Sequence, residues 1–257
     1  MKYKGIRAVS FDRGGTLYYE VEEDYVVFHR ILHELGYDFG VAEVERALHD
    51  ARVWWNSEKA KTGEVWTERS WAKLLQRMAM NLTIPNTVSV ADNLRERWLV
   101  EADFRAYEDA VPALNELKSA GFKLIVISNV SSGRNLQTYL RKAGIPNCFD
   151  AVIASGDVGY EKPSPEIFRI ASRILNIPAG CILHVGDKYD EDYIGAYNAG
   201  FKAILIDRKG IYDGNDKPGE IHREWRIANG LLGDYETNKE VNQMIPKITK
   251  IFGWPDC

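Results

Sequence analysis

The sequence predicts an α/β protein: a parallel sheet whose chain is interrupted, after the first strand, by a block of helices. Three observations predict it. From about residue 109 onward, continuous apolar runs alternate with helical periodicity, the pattern of parallel strands covered on both faces. A further apolar run, IRAVSF over 6–11, stands near the start and stops at Asp12, with Gly14 and Gly15 directly after it. Between these parts, residues 18–106 show helical periodicity and no convincing strand.

Taken in order, 6–11 reads as a buried strand that ends in a tight loop. Val26, Phe28, Ile31, Leu32 and Leu35 mark one amphipathic helix, and further helices are predicted over 41–55, 66–80 and 89–100. Gly36, Gly40, Gly63 and Pro85 punctuate them. Trp54, Trp55, Trp66, Trp71 and Trp98 fall in this block, where tryptophans fill a bundle core or line an apolar pocket. Helices over 113–120, 134–143, 165–175 and 191–199 then alternate with strands over 124–128, 151–155, 181–185 and 203–207. Residues 208–236, including Tyr212 and Trp225, are polar and glycine-rich and read as a loop-rich excursion, with a closing helix over 241–252.

Composition bounds the function classes. The 257 residues carry 33 Lys+Arg against 37 Asp+Glu, a formal net charge of −4, so binding of nucleic acid by bulk charge is excluded. Three scattered cysteines, Cys148, Cys181 and Cys257, fit neither a disulfide framework nor a cysteine-rich zinc site, and they suit a reducing compartment. No apolar run is long enough to span a membrane, and the N-terminal apolar stretch is too short for a secretory leader. A soluble cytoplasmic protein is expected, with no nucleic-acid or membrane partner.

Chemistry concentrates at four predicted strand ends. Asp12 is a carboxylate followed by glycines, which fits a presented nucleophile and equally an N-cap in a turn. Ser128 and Asn129 end the strand LIVIS; their hydroxyl and amide suit a phosphoryl oxygen, or a helix cap. Lys162, in EKPSP, has a backbone restricted by two prolines, and can neutralise a carboxylate and a phosphate together. Asp187, Asp190, Glu191 and Asp192 follow HVG as an acidic cluster suited to a hard cation such as Mg²⁺, or to a solvated loop.

In this order, the four segments resemble the haloacid dehalogenase superfamily of hydrolases. The nearest stretch runs over 149–200, and the motifs together span Asp12 to Asp192. The resemblance implies a Rossmann-like core, 1–17 with 107–257, and an inserted α-helical cap domain over 18–106. It implies that Asp12 is a nucleophile forming an aspartyl-phosphate, and that Ser128, Asn129, Gly15 and Lys162 hold the phosphoryl group. It further implies that Asp12, the backbone carbonyl of Gly14, Asp187 and Asp192 bind Mg²⁺. The substrate class is then a small phosphorylated metabolite.

One position departs from the pattern. Phosphatases of the superfamily carry a second aspartate two residues after the nucleophile, where it works as general acid and base. Here Gly14 stands there. A glycine keeps the carbonyl and loses the proton transfer, which is worth about 10²–10⁴-fold in rate. Three readings follow: a Mg²⁺-dependent phosphohydrolase that is slow or selective for good leaving groups; a phosphonatase-like C–P hydrolase using a cap lysine (Lys59, Lys61 or Lys73) as Schiff base; and a non-catalytic phosphate-ligand binding protein. A dehalogenase proper fits less well: such enzymes resemble this chain in the nucleophile, but need no metal and have a less acidic fourth motif. His29 and His33, four apart on one helix, read as ordinary helix histidines or as a metal pair. Arg13 faces substrate or solvent, and Tyr18, Tyr19 or Glu20 stands where it could reach a leaving group.

Overall fold

The computed structural model describes residues 5–208. The closing helix expected over 241–252, and the predicted excursion beyond Arg208, lie outside the described residues.

Five strands form the core sheet: β1 (Ala8–Phe11), β4 (Lys123–Ser128), β5 (Ala151–Ala154), β6 (Ile182–Gly186) and β7 (Lys202–Leu205). Their order is β5-β4-β1-β6-β7, and every pairing is parallel. Central β1 is fully buried, with Phe11 opposite Val126 on one side and Val185 on the other. The chain winds outward from β1 to β5, then returns to place β6 on its other side. Open parallel sheets bind ligands at the carboxyl ends of the strands beside such a reversal. Asp12 and Asp187 each follow a strand that borders it.

Helices α5 (Ala110–Ser119), α6 (Gly133–Lys142), the short α7 (Ser155–Val158), α8 (Pro165–Leu175) and the single turn α9 (Gly195–Asn198) complete this layer. The Ser164 hydroxyl caps α8, accepting from the Glu166 amide, and Pro165 occupies its first turn. The helix expected over 191–199 differs: a π-helical stretch, Tyr189–Ile194, precedes α9. Its wider turn carries the acidic cluster and turns Asp192 into the interior.

The helical block consists of α1 (Asp24–Glu34), α2 (Val41–Thr62), α3 (Glu68–Asn81) and α4 (Thr87–Glu101). Helix α2 runs past the expected residue 55 because its last turns, NSEKAKT, are polar and helical without an apolar stripe; it stops at Gly63, which adopts φ 68°. Trp55, Trp71 and Trp98 are buried, and Trp98 meets the rings of Trp71 and Tyr139 edge to face at 5.4 and 5.7 Å. These three pack the bundle core, while Trp54 and Trp55 also flank a groove of about 350 Å³ between α2 and α3.

The absence of strands expected over 18–106 is corrected. Strand β2 (Tyr18–Glu20) pairs antiparallel with β3 (Phe104–Ala106), so a two-stranded ribbon carries the chain into and out of the block. Three residues each are too few to show an alternation. Two carboxylates dock the block on the core. Glu68 accepts from the Ser131 and Ser132 hydroxyls at 2.7 and 3.1 Å and from the Asn135 amide. Glu161 accepts from the Trp66 amide at 2.6 Å and pairs with Lys59. No helix among the described residues is long and apolar enough to cross a membrane.

Asp150 pins the start of the sheet. It accepts from the Leu124 amide at 2.9 Å and from Lys118 and Lys123 at 2.8 Å each. Partial burial pushes its carboxyl up, but the two ammonium groups more than offset this and hold it well below the usual range. A depressed carboxyl stabilises the fold above its unfolded value and loses that contribution as pH falls. Asp150→Asn should therefore cost about 1 kcal/mol at neutral pH, the lysines being solvent-exposed. In denaturant titrations the difference from wild type should shrink as pH drops below about 4; a pH-independent difference would contradict this.

Candidate active site

The carboxyl edge of the sheet gathers Asp12, Lys162, Asp187 and Asp192. Asp12 follows β1, and its amide donates to the Val185 carbonyl at 2.9 Å, which fixes where its side chain starts. Lys162 is buried between two carboxylates, 2.5 Å from Asp12 Oδ1 and 2.6 Å from Asp192 Oδ1. Burial opposes a charge on Lys162, but Asp12 and Asp192 more than offset it and hold the ammonium above its usual value. Asp192 is the mirror case. Burial pushes its carboxyl up, and Lys162 and His184 hold it below the usual range.

Oxygens of Asp12, Asp187 and Asp192 all lie within 4.8 Å of one another. Three carboxylates this close repel. Burial, then Asp12 and Asp192, push the Asp187 carboxyl up to about 6. A compact set of hard oxygen donors with surplus negative charge fits a divalent cation of the Mg²⁺ type.

Glycine makes the cluster possible at two positions. Gly15 has φ 75°, and a Cβ there would stand 2.2 Å from Asp187 Oδ2. A Cβ on Gly186 would stand 2.3 Å from the Asp192 carboxyl carbon. Gly15 thus shapes the site by leaving room for Asp187. Gly14 is different: nothing lies within 4 Å of where its Cβ would be, and its φ is not in the left-handed region.

Ser128, the last residue of β4, is buried, and its hydroxyl accepts from Arg13 Nε at 3.0 Å. Asn129 is committed to another task. Its Oδ1 accepts from the Lys162 amide at 2.7 Å, and its Nδ2 donates to the Lys162 carbonyl at 2.9 Å and to Glu191 at 3.0 Å. In this structure the Asn129 side chain therefore positions the Lys162 backbone.

Two residues went unread in the sequence. Ser10 and His184 are register partners on β1 and β6, and Ser10 Oγ lies 2.8 Å from His184 Nδ1. Burial, aided by Lys162, lowers the His184 pKa despite Asp192. The neutral ring that donates Nε2–H to Asp192 (3.3 Å) accepts the Ser10 proton on Nδ1. Both are polar residues inside apolar strands, a signal that each needs a partner. Arg13 Nη1 donates to the Tyr18 hydroxyl at 2.8 Å, and its guanidinium lies over the Tyr139 ring, 5.2 Å from the centroid.

Other sequence candidates fall elsewhere. Lys59 pairs with Glu161, Lys61 with Glu58 and Lys73 with Glu64. His29 Nε2 bonds the Phe39 carbonyl at 3.0 Å, a structural role within the helical block. Tyr18 is buried with its hydroxyl on Arg13, whereas Tyr19 and Glu20 are exposed.

Comparison with known proteins gives a consistent picture. A family model described as haloacid dehalogenase-like hydrolase matches residues 6–200. A glyceraldehyde 3-phosphate phosphatase of Methanothermobacter thermautotrophicus is 39% identical over 141 residues, covering 53% of this chain and 58% of that protein. A phosphoserine phosphatase of Thermus thermophilus is 33% identical over 120 residues, covering 44% of this chain and 48% of its own. The chain spans about half the length of the curated relatives it matches. Among solved structures, a 2-haloacid dehalogenase of Pseudomonas syringae superimposes with a TM-score of 0.62 at 22% identity, covering 88% of this chain and 98% of that one. That likeness is one of fold.

Proposed function

The chain belongs to the haloacid dehalogenase-like hydrolases, and from that premise we propose that it is a phosphohydrolase acting on small phosphorylated metabolites through an aspartyl-phosphate on Asp12. The observation that carries this reading is the convergence of Asp12, Asp187 and Asp192 within 4.8 Å, with Lys162 bridging Asp12 and Asp192. A displacement at carbon needs one carboxylate; a cluster of three supports a cation and a phosphoryl group. The two curated relatives named as phosphatases support the same chemistry.

In the proposed reaction an Asp12 oxygen attacks phosphorus, the P–O bond to the leaving group breaks, and water then cleaves the acyl phosphate to return Asp12. Lys162 orients Asp12 and offsets charge on the phosphoryl oxygens. The Ser128 hydroxyl donates to one of those oxygens. Asn129 holds Lys162 in register through both of its main-chain polar groups. Asp12, Asp187, Asp192 and the Gly14 carbonyl would hold Mg²⁺, which supplies electrostatic stabilisation of the transferring group.

Gly14 cannot protonate the leaving oxygen, so good leaving groups, acyl or aryl phosphates, are the favoured substrates. The three cap lysines are all engaged by glutamates, which supports ester hydrolysis over a Schiff-base C–P cleavage. The test is hydrolysis of 4-nitrophenyl phosphate by the purified full chain, with Mg²⁺ and with EDTA. Turnover should require Mg²⁺ and return when it is added back. Equal rates in EDTA would remove the metal from the reaction, and no turnover in either would remove the reading.

A further inference from the structure

We propose that Arg13 selects the substrate, by binding a second anionic group, carboxylate or phosphate, carried on the leaving part of the phosphate ester. The proposal deepens the phosphohydrolase reading above and rests on it.

The guanidinium is held from three sides. Nε donates to Ser128 at 3.0 Å, Nη1 donates to Tyr18 at 2.8 Å, and the Tyr139 ring lies beneath it. These contacts come from β4, β2 and α6, so the side chain is fixed before any ligand arrives, and little rotamer freedom remains to be lost on binding. None of the three partners carries a formal negative charge. Among the described residues no carboxylate lies within ion-pair distance of Arg13, and its Nη2 makes no hydrogen bond. Arg208 shows the ordinary solution for a buried guanidinium, paired with Asp109 at 2.9 Å. A guanidinium stays charged at any working pH, and the carboxylates that act on this one, Asp12 and Glu20, do so from beyond ion-pair distance, so no described carboxylate contacts the fork directly. Arg13 nonetheless keeps partial solvent access, which leaves a route for an anion to reach it.

Position decides which part of the substrate it meets. Arg13 is adjacent to Asp12 in the chain and extends from it to Ser128 and to the ribbon entering the helical block. Lys162, its backbone held by Asn129 after β4, brings its ammonium to Asp12 and Asp192. An ester whose phosphoryl group lies against Asp12, Lys162 and Ser128 would present its organic part to Arg13, which is bonded to Ser128 and keeps partial solvent access. The remaining N–H groups of a fixed guanidinium fork match the paired oxygens of a carboxylate or phosphate.

Binding of phosphonates, which are not hydrolysed, separates this proposal from turnover. Calorimetric titrations with Mg²⁺ present would compare 3-phosphonopropionate, propane-1,3-bisphosphonate and the neutral 3-phosphonopropanamide. Wild type should bind at least one of the two doubly anionic ligands about tenfold or more tightly than the amide, and which one identifies the second group. In Arg13→Met that advantage should fall below about twofold, and in Arg13→Lys, which keeps the charge and loses the fork, part of it should remain. Equal binding of all three by wild type overturns the proposal. So does an Arg13→Met protein that weakens all three alike, since Arg13 would then serve the phosphoryl group alone. Should Arg13→Met fail to fold, Arg13→Lys decides: an undiminished advantage over the amide overturns the proposal. Failure of the phosphohydrolase reading shows separately, as no hydrolysis of 4-nitrophenyl phosphate.

Discussion

Asp12→Asn is expected to lower turnover of 4-nitrophenyl phosphate by at least about 10³-fold, or roughly 4 kcal/mol of barrier, with little change in melting temperature. The amide has no anionic oxygen to attack phosphorus, and the other acids are held away from that task. Asp192 is tied to Lys162, to His184 and, at 2.9 Å, to the Lys188 amide. The stability half of the prediction is a balance. Removing one partner of a buried pair typically costs about 3–5 kcal/mol, because the other charge is stranded. Lys162 is not stranded here, since Asp192 remains at 2.6 Å. Neutralising Asp12 also relieves its repulsion with Asp187, which helps to push that carboxyl up to about 6. The two effects oppose, so a large activity loss with a nearly native melting curve is the expected signature. Initial rates and a thermal melt on the same preparation check both. More than a tenth of wild-type activity in the variant would show that Asp12 is not the nucleophile.

What was legible in the sequence, and what was not, follows the range of the interactions. Strand β4 was readable as a continuous apolar run, and α8 begins and ends where the N-cap Ser164, Pro165 and the drop in periodicity place it. The loops bearing Asp12, Ser128 and Asp187 were readable for the same reason: an apolar run that stops at a polar residue marks a strand end. Strands β2 and β3 were not, because three residues carry no period and their pairing joins positions far apart in the chain. The π-helical turn over Tyr189–Ile194 shares its composition with an α-helix, and only its packing distinguishes them. Ser10 with His184, and Glu68 with Ser131, are long-range pairs that depend on strand register and on where the helical block lands. The surroundings of Arg13 belong to this second kind. Its neighbours Tyr18, Ser128 and Tyr139 come from three elements, so the sequence left open whether it faced substrate or solvent.

Gly14→Asp should raise kcat/KM on alkyl phosphates by about 10²–10⁴-fold, the usual worth of a positioned general acid. Two features make the substitution geometrically plain. The space around the Cβ direction is open to 4 Å, and the residue lies outside the left-handed region, so an aspartate fits without backbone strain. Replacing a glycine in an accessible conformation also restricts the unfolded chain, worth about 0.4–1 kcal/mol of stability. Against this, a fourth acid joins three carboxylates. Arg13, one residue away and without a carboxylate partner among the described residues, offsets that charge. The kinetic form of the gain distinguishes its cause. Without an acid, the rate across a series of phosphate esters falls steeply as the leaving-group pKa rises; with one, the departing oxygen is protonated and the slope flattens. Aryl phosphates should therefore gain little, alkyl phosphates should gain most, and the slope should shallow. A uniform gain across the series would mean better folding or binding, not proton transfer. No gain, with a native melting curve and an unchanged slope, would mean that more than position 14 is missing. Only if neither wild type nor variant turned over any ester of the series would the reading as a binding protein prevail.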